Sequence, residues 1–171
     1  MKAIVLGAGR IGRGFVTELL TLNQVEIAFF DAMPAMVDSL NEQKEYTIHV
    51  LGAPEKDLLK TGVKAYGIGD TDELAVRWAE ADFIFTACGG KNMPSVGATL
   101  AEAFGKLMAA GKVHTSNIVT CENWIDPAAD LKKGILDHLT EDQRRVFEEH
   151  VGVSESVVLC TGTGAPDPDK V

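Results

Sequence analysis

A glycine-rich turn near the amino terminus constrains this chain more than any other feature of it. Lys2 to Leu6 is a short apolar run and Gly7-Ala8-Gly9-Arg10-Ile11-Gly12 follows at once. From there to Leu22 the apolar residues Ile11, Phe15, Leu19 and Leu22 recur at helical spacing. The pattern predicts strand, tight turn and helix. A second apolar run, Val25 to Phe30, ends in the acid Asp31. Glycines at this spacing occur in many turns. Between a strand and a helix, with an acid at the end of the next strand about 20 residues on, they are the fingerprint of a dinucleotide-binding βαβ unit.

The physics assigns each glycine a task. Gly7 permits the tight turn, Gly9 lets the backbone approach a pyrophosphate, and Gly12 lets helix and strand pack closely. With Ala8, Arg10 and Ile11 between them, these residues form the expected cofactor loop, its helix N-terminus facing the anion. Arg10 and Arg13 either add charge to the phosphates or are solvated arginines at a helix start. Asp31 is suited to accept from the adenosine ribose diol and to repel a 2′-phosphate. Ala32 and Met33 stand where a phosphate-binding Arg would be expected in an NADP protein, so the expected cofactor is NAD. The alternative role for Asp31 is a cap for the helix opened by Pro34.

The rest of the chain continues the alternation. A helix is expected from Pro34 to about Gln43, and Tyr46 to Leu51 with Leu58 to Ile68 read as a strand excursion. A helix from Asp72 to Ala79, a strand from Asp82 to Ala87, a helix from Ser95 to Ala110 and a strand from Asn117 to Cys121 follow. Helices then open at Asp126-Pro127 and Thr140, running toward His138 and His150, and Ser154 to Cys160 is a last strand candidate. Such alternation specifies an α/β fold with a doubly wound, mostly parallel sheet of the Rossmann kind. At 171 residues the chain suits one domain, expected over 1–160, with 161–171, rich in Gly, Pro and Asp, as a linker or frayed tail.

A formal charge of -9 argues against nucleic acid as a partner, because phosphate backbones are held by clustered Lys and Arg. No apolar run approaches the roughly 20 residues of a membrane helix, and the start at Met1-Lys2 leads into a strand and not into a signal sequence. The expected location is the cytoplasm. Cys88, Cys121 and Cys160 read as buried thiols. The four histidines have no spacing that makes them metal ligands with the cysteines.

Two further loops follow strands at their carboxyl ends, where open α/β sheets bind ligands: Thr86-Ala87-Cys88-Gly89-Gly90 and Cys121-Glu122-Asn123-Trp124. Ala87, Cys88 and Gly89 are expected along the cofactor. Glu122 and Asn123 are placed to contact ribose, nicotinamide or substrate, the alternative for Asn123 being a turn former.

Taken together, Gly7-Ala8-Gly9-Arg10-Ile11-Gly12-Arg13-Gly14-Phe15, Tyr46 to Gly52, Cys121-Glu122-Asn123 and Glu148-Glu149-His150-Val151-Gly152 resemble the mannitol-1-phosphate 5-dehydrogenases of the polyol-specific long-chain dehydrogenase family. The match runs in order from Met1 to about Gly152. The resemblance implies NAD-dependent, metal-independent oxidation of a sugar alcohol phosphate to a ketose phosphate. It implies a cofactor role for Gly7 to Gly14, Asp31 and the Thr86 to Gly89 loop, and a catalytic role for Asn123 in polarising the reacting substrate oxygen. There are departures. Where the family carries an Asp-Arg pair after its His-Val-Gly stretch, this chain reads Leu159-Cys160. The family's catalytic Lys, with an Asn and a His, belongs to a helical second domain, and no Lys-x4-Asn-x2-His pattern occurs here.

The expected function is therefore the NAD-binding half of such an oxidoreductase, inactive without a catalytic second domain or a partner chain that supplies one. A sugar alcohol phosphate is a partner only in that company. Two alternatives stand beside it: a non-catalytic NAD-binding sensor or regulatory module, and a small self-contained reductase using Asn123, Glu122 or a histidine.

Overall fold

In the computed structural model, which describes residues 1–159, the glycine turn separates the first strand from the first helix. β1 (Lys2–Leu6) is buried from Ala3 onward. It pairs in parallel with β2 (Glu26–Asp31) on one side and β6 (Phe83–Thr86) on the other, which is why it reads as an unbroken apolar run. Between β1 and β2 the chain winds first as a wide π-helix, Ile11–Val16, and continues as α1, Thr17–Leu22.

Helix α2 (Pro34–Gln43) has its proline in the first turn, where no intrahelical N–H is needed, and ends at Lys44 in the left-handed conformation. The predicted excursion is narrower than the sequence suggests. β3 (Glu45–Ile48) and β4 (Leu58–Thr61) form a separate antiparallel pair. β5 (Ala65–Gly67), which the pattern grouped with them, joins the main sheet beside β2. Its register, Phe29 opposite Ala65 to Asp31 opposite Gly67, gives three residues the parallel partner that decides the matter.

The remaining elements are α3 (Thr71–Trp78), α4 (Met93–Ala109), β7 (Ser116–Thr120), α5 (Pro127–Leu136), α6 (Glu141–His150) and β8 (Val151–Glu155). Asp70 accepts from the Glu73 N–H to start α3, and Thr140 and Gln143 form a reciprocal capping box on α6. The last strand is the second correction. It starts directly after α6 and ends before Ser156, so Ser154 to Cys160 is not one strand. Pairing with β7 runs from Ser116 opposite Val151 to Thr120 opposite Glu155 and stops where β7 stops. Val157 and Leu159, apolar as they are, are left exposed. Cys160 and the tail expected over 161–171 lie outside the described residues.

Among the described residues the main sheet has six strands in the order β5-β2-β1-β6-β7-β8, all parallel, the strand order of the Rossmann fold. Side chains alternate across it. Ile4, Leu6, Phe30, Ile84 and Ile118 face α3 to α6 and pack with Trp78, Phe104, Leu100 and Phe147. Val5, Ile27, Phe29, Phe85 and Val119 face the other way, with Val16, Leu40 and Tyr46. Each fully buried Phe or Leu contributes roughly 1.5–3 kcal/mol. Trp78 keeps its indole N–H satisfied by donating to Ser116 Oγ at 2.9 Å. The strand order reverses between β1 and β6, so the loops after those two strands diverge and open a crevice.

Candidate functional site

The glycine loop sits at that reversal. Gly7 has φ +97°, and a Cβ there would run into the Ala87 carbonyl, so the turn after β1 and the loop after β6 meet backbone to backbone. A Cβ on Gly12 would overlap the Gly7 carbonyl oxygen and press on Val5, whereas a Cβ on Gly9 would meet nothing within 4 Å. Two of the glycines thus fill contacts inside the fold, and the third borders open space. The helix beginning at Ile11 has no side-chain cap from Arg10 and no acid in its first turn, which leaves its leading N–H groups for an anion.

Asp31 closes the opposite wall of the loop. Its Oδ2 accepts from the Ala8 N–H at 2.6 Å and its Oδ1 from the Met33 N–H at 2.8 Å. The carboxylate is held in place by the loop and by its own turn, and the pair of bonds keeps it at the carboxyl end of β2. The helix at Pro34 has Met33 as its cap residue, with no side-chain cap bond, so the role of simple helix cap for Asp31 does not hold.

Arg13 is half-buried and tied to the loop it follows. Its Nε donates to the Ala8 carbonyl at 2.6 Å and its guanidinium lies 5.9 Å from the centroid of the Tyr46 ring. Tyr46 in turn donates its hydroxyl to the Arg13 carbonyl at 2.9 Å. Burial pushes the Tyr46 phenol up to about 12, so it stays a donor throughout the physiological range. Tyr46 of β3 therefore braces the glycine loop through Arg13. No local spacing announces this, because Tyr46 and Arg13 are 33 residues apart. Arg10 is exposed.

The loop after β6 is fastened in the same manner. Thr86 is buried, Gly89 has φ +89°, and Asn92 donates from Nδ2 to the Cys88 carbonyl at 2.6 Å. Glu122, at the end of β7, is 8% exposed. Its Oε1 accepts from the Cys88 N–H and its Oε2 from the Gly89 N–H, each at 2.9 Å. Asn123 beside it is exposed, along a cleft shared with Trp124, Pro127, Glu155 and Ser156. Trp124 lies across Gly90 and donates its indole N–H to Asp130 at 3.1 Å.

Cys88 is half-buried here and Cys121 buried. Burial first, then the Glu122 and Asp31 carboxylates, push the Cys88 thiol up to about 12, so this cysteine is no nucleophile at neutral pH. In a Cys121→Ser, Cys160→Ser background, iodoacetamide at pH 8 is expected to label Cys88 far more slowly in the folded chain than in denaturant. The sign follows from the raised folded value. The unfolded thiol ionises near pH 9 and the folded one near 12, so stability is lost across that window as pH rises. Labelling as fast as a free thiol at pH 8 would show that the Cys88 thiol is neither shielded nor raised.

The model of the family described as mannitol dehydrogenase Rossmann domain matches residues 1–160. The chain belongs to this family. Among solved structures, this Rossmann domain is similar to mannitol 2-dehydrogenase of Pseudomonas fluorescens, determined as a ternary complex with NAD and D-mannitol. The TM-score is 0.70 and the identity 14%, over 90% of this chain and 40% of that one. It is similar also to GDP-mannose dehydrogenase of Pseudomonas aeruginosa, with TM-score 0.57 and 12% identity over 92% of this chain and 35% of that one. UDP-glucose dehydrogenase of Pyrobaculum islandicum gives TM-score 0.54 and 18% identity over 95% of this chain and 37% of that one. The chain spans 35–40% of the length of these three proteins. Among the described residues no helix is long and apolar enough to cross a membrane.

Proposed function

We propose that this domain binds NAD and serves as the dinucleotide-binding part of a polyol-phosphate dehydrogenase. One observation carries the reading: a carboxylate, Asp31, locked at the carboxyl end of β2 beside a glycine loop whose middle glycine, Gly9, faces open space. That cradle fits a pyrophosphate against Gly9 and the N-terminus of the following helix, with Gly7, Ala8, Arg10, Ile11 and Gly12 forming its wall. Asp31 retains lone pairs for the ribose diol, and a 2′-phosphate there would meet a fixed negative charge. Ala87, Cys88 and Gly89 line the other side of the crevice.

When bound, NAD supplies the hydride acceptor. The chain's own residues hold the dinucleotide, and Asn123, exposed at the crevice end of β7, is the proposed donor to the substrate oxygen, where a hydrogen bond stabilises developing charge. The substrate is proposed to be a sugar alcohol phosphate, because the family and the Cys121-Glu122-Asn123 triplet point to polyol chemistry. Residues 1–160 are proposed as the folding unit and 161–171 as a connecting segment.

Calorimetry with NADH and NADPH tests the assignment. The chain is expected to bind NADH more tightly, and Asp31→Ala to weaken NADH by about tenfold or more, since one charged hydrogen bond is worth about 1.5–3 kcal/mol. Equal or tighter binding of NADPH by the natural chain removes the reading of Asp31.

A further inference from the structure

We propose that Glu122 is a positioning residue for dinucleotide binding, acting through the backbone of the loop after β6 and not by touching the cofactor. The proposal rests on the dinucleotide reading of the crevice. Both Glu122 oxygens are already committed, Oε1 to the Cys88 N–H and Oε2 to the Gly89 N–H, at 2.9 Å each, and the side chain is 8% exposed. Its neighbour Asn123 is exposed instead, along the cleft it shares with Trp124, Pro127, Glu155 and Ser156, so adjacent residues of one triplet differ: one holds the loop and the other is open to solvent.

The consequence travels further than the loop. Asn92 ties the same segment from the far side through the Cys88 carbonyl, which leaves the peptide planes from Ala87 to Gly89 little freedom. The Ala87 carbonyl in turn packs directly on Gly7, where even a Cβ would not fit. A shift of the loop after β6 therefore pushes on the turn that shapes the pyrophosphate cradle. Glu122, two residues past the end of β7, sets the relation between the loops after β1 and β6. Without the Glu122 carboxylate both N–H groups lose their acceptor within the fold, and with it the two charge-assisted bonds that fix the loop.

Glu122→Ala and Glu122→Gln test this in the whole chain. Gln keeps the volume but presents a donor to one of the two N–H groups, so it carries the test if the Ala variant fails to fold. Without cofactor, amide hydrogen exchange at Cys88 and Gly89 is expected to accelerate about tenfold or more, with β1 and β7 unchanged. NADH affinity is expected to fall about tenfold in parallel. Excess formate, a free carboxylate for the vacated cradle, is expected to restore both protection and affinity to Glu122→Ala, while chloride at equal ionic strength restores neither. Unchanged exchange at Cys88 and Gly89 overturns the clamp. Faster exchange with unaltered NADH affinity overturns its link to the cofactor, and so does lost affinity that formate does not recover. If the natural chain binds no NADH, the dinucleotide reading fails by itself, and the exchange measurement still decides whether Glu122 holds the loop.

Discussion

Gly9→Val is expected to abolish NADH binding, a loss of about a hundredfold or more, in a domain that remains folded. Among the described residues, a Cβ on Gly9 meets nothing within 4 Å beyond its chain neighbours and the residue does not have a positive φ, so the fold gives no reason to resist the substitution. The volume a valine takes up is the volume proposed for the pyrophosphate, and a hundredfold corresponds to about 2.7 kcal/mol. Gly12→Val supplies the contrast. It places a branched side chain onto the Gly7 carbonyl oxygen and Val5, and overpacking of that kind costs typically about 1–3 kcal/mol or more of stability. Circular dichroism separates the two: a normal melt without binding for Gly9→Val, a lowered Tm for Gly12→Val. A Gly9→Val chain that bound NADH normally would place the phosphates elsewhere.

The 171-residue chain is expected to bind NADH yet show no significant oxidation of mannitol 1-phosphate with NAD. Oxidising a secondary alcohol requires a base to take its proton, and the pattern of the family's catalytic Lys does not occur in this sequence. Loss of a general base typically costs about 10²–10⁴ in rate, and lost substrate positioning adds to it. Joining the domain to the helical part of a polyol dehydrogenase, or adding that part in trans, is expected to produce activity. In that enzyme Asn123→Ala should lower kcat by roughly 10²-fold. Brisk turnover by the chain alone, followed as NADH absorbance, would favour a self-contained reductase. Binding with no turnover in either setting would favour a regulatory module.

Much of this fold is legible in the sequence. The alternation of apolar runs with helical periods carried the α/β class, and α2 runs from Pro34 to Gln43, where proline and periodicity predicted it. The π winding of Ile11–Val16 was not legible, because nothing in the side chains distinguishes it from an α-helix. The last strand was misplaced because Val157, Val158 and Leu159 have strand composition but no length of β7 left to pair with. Parallel strands are specified by their neighbours, and neighbours are not a local property.

The same division runs through the site. What the amino-acid sequence alone determined was local. Gly7-Ala8-Gly9-Arg10-Ile11-Gly12 turns a strand into a helix because only glycine fits φ +97° at Gly7, and Asp31 ends the next strand. What the tertiary structure alone decided was which of these segments meet. By setting β1 between β2 and β6, it brings Ala8 to Asp31, Ala87 to Gly7 and, through β7, Glu122 to Cys88 and Gly89. Glu122 read from the sequence was a polar group after a strand, free to touch anything in the crevice. Its partners lie 33 and 34 residues back in the chain. A carboxylate's choice of donor depends on the strand order that packing of both sheet faces imposes, and no spacing along the chain encodes it.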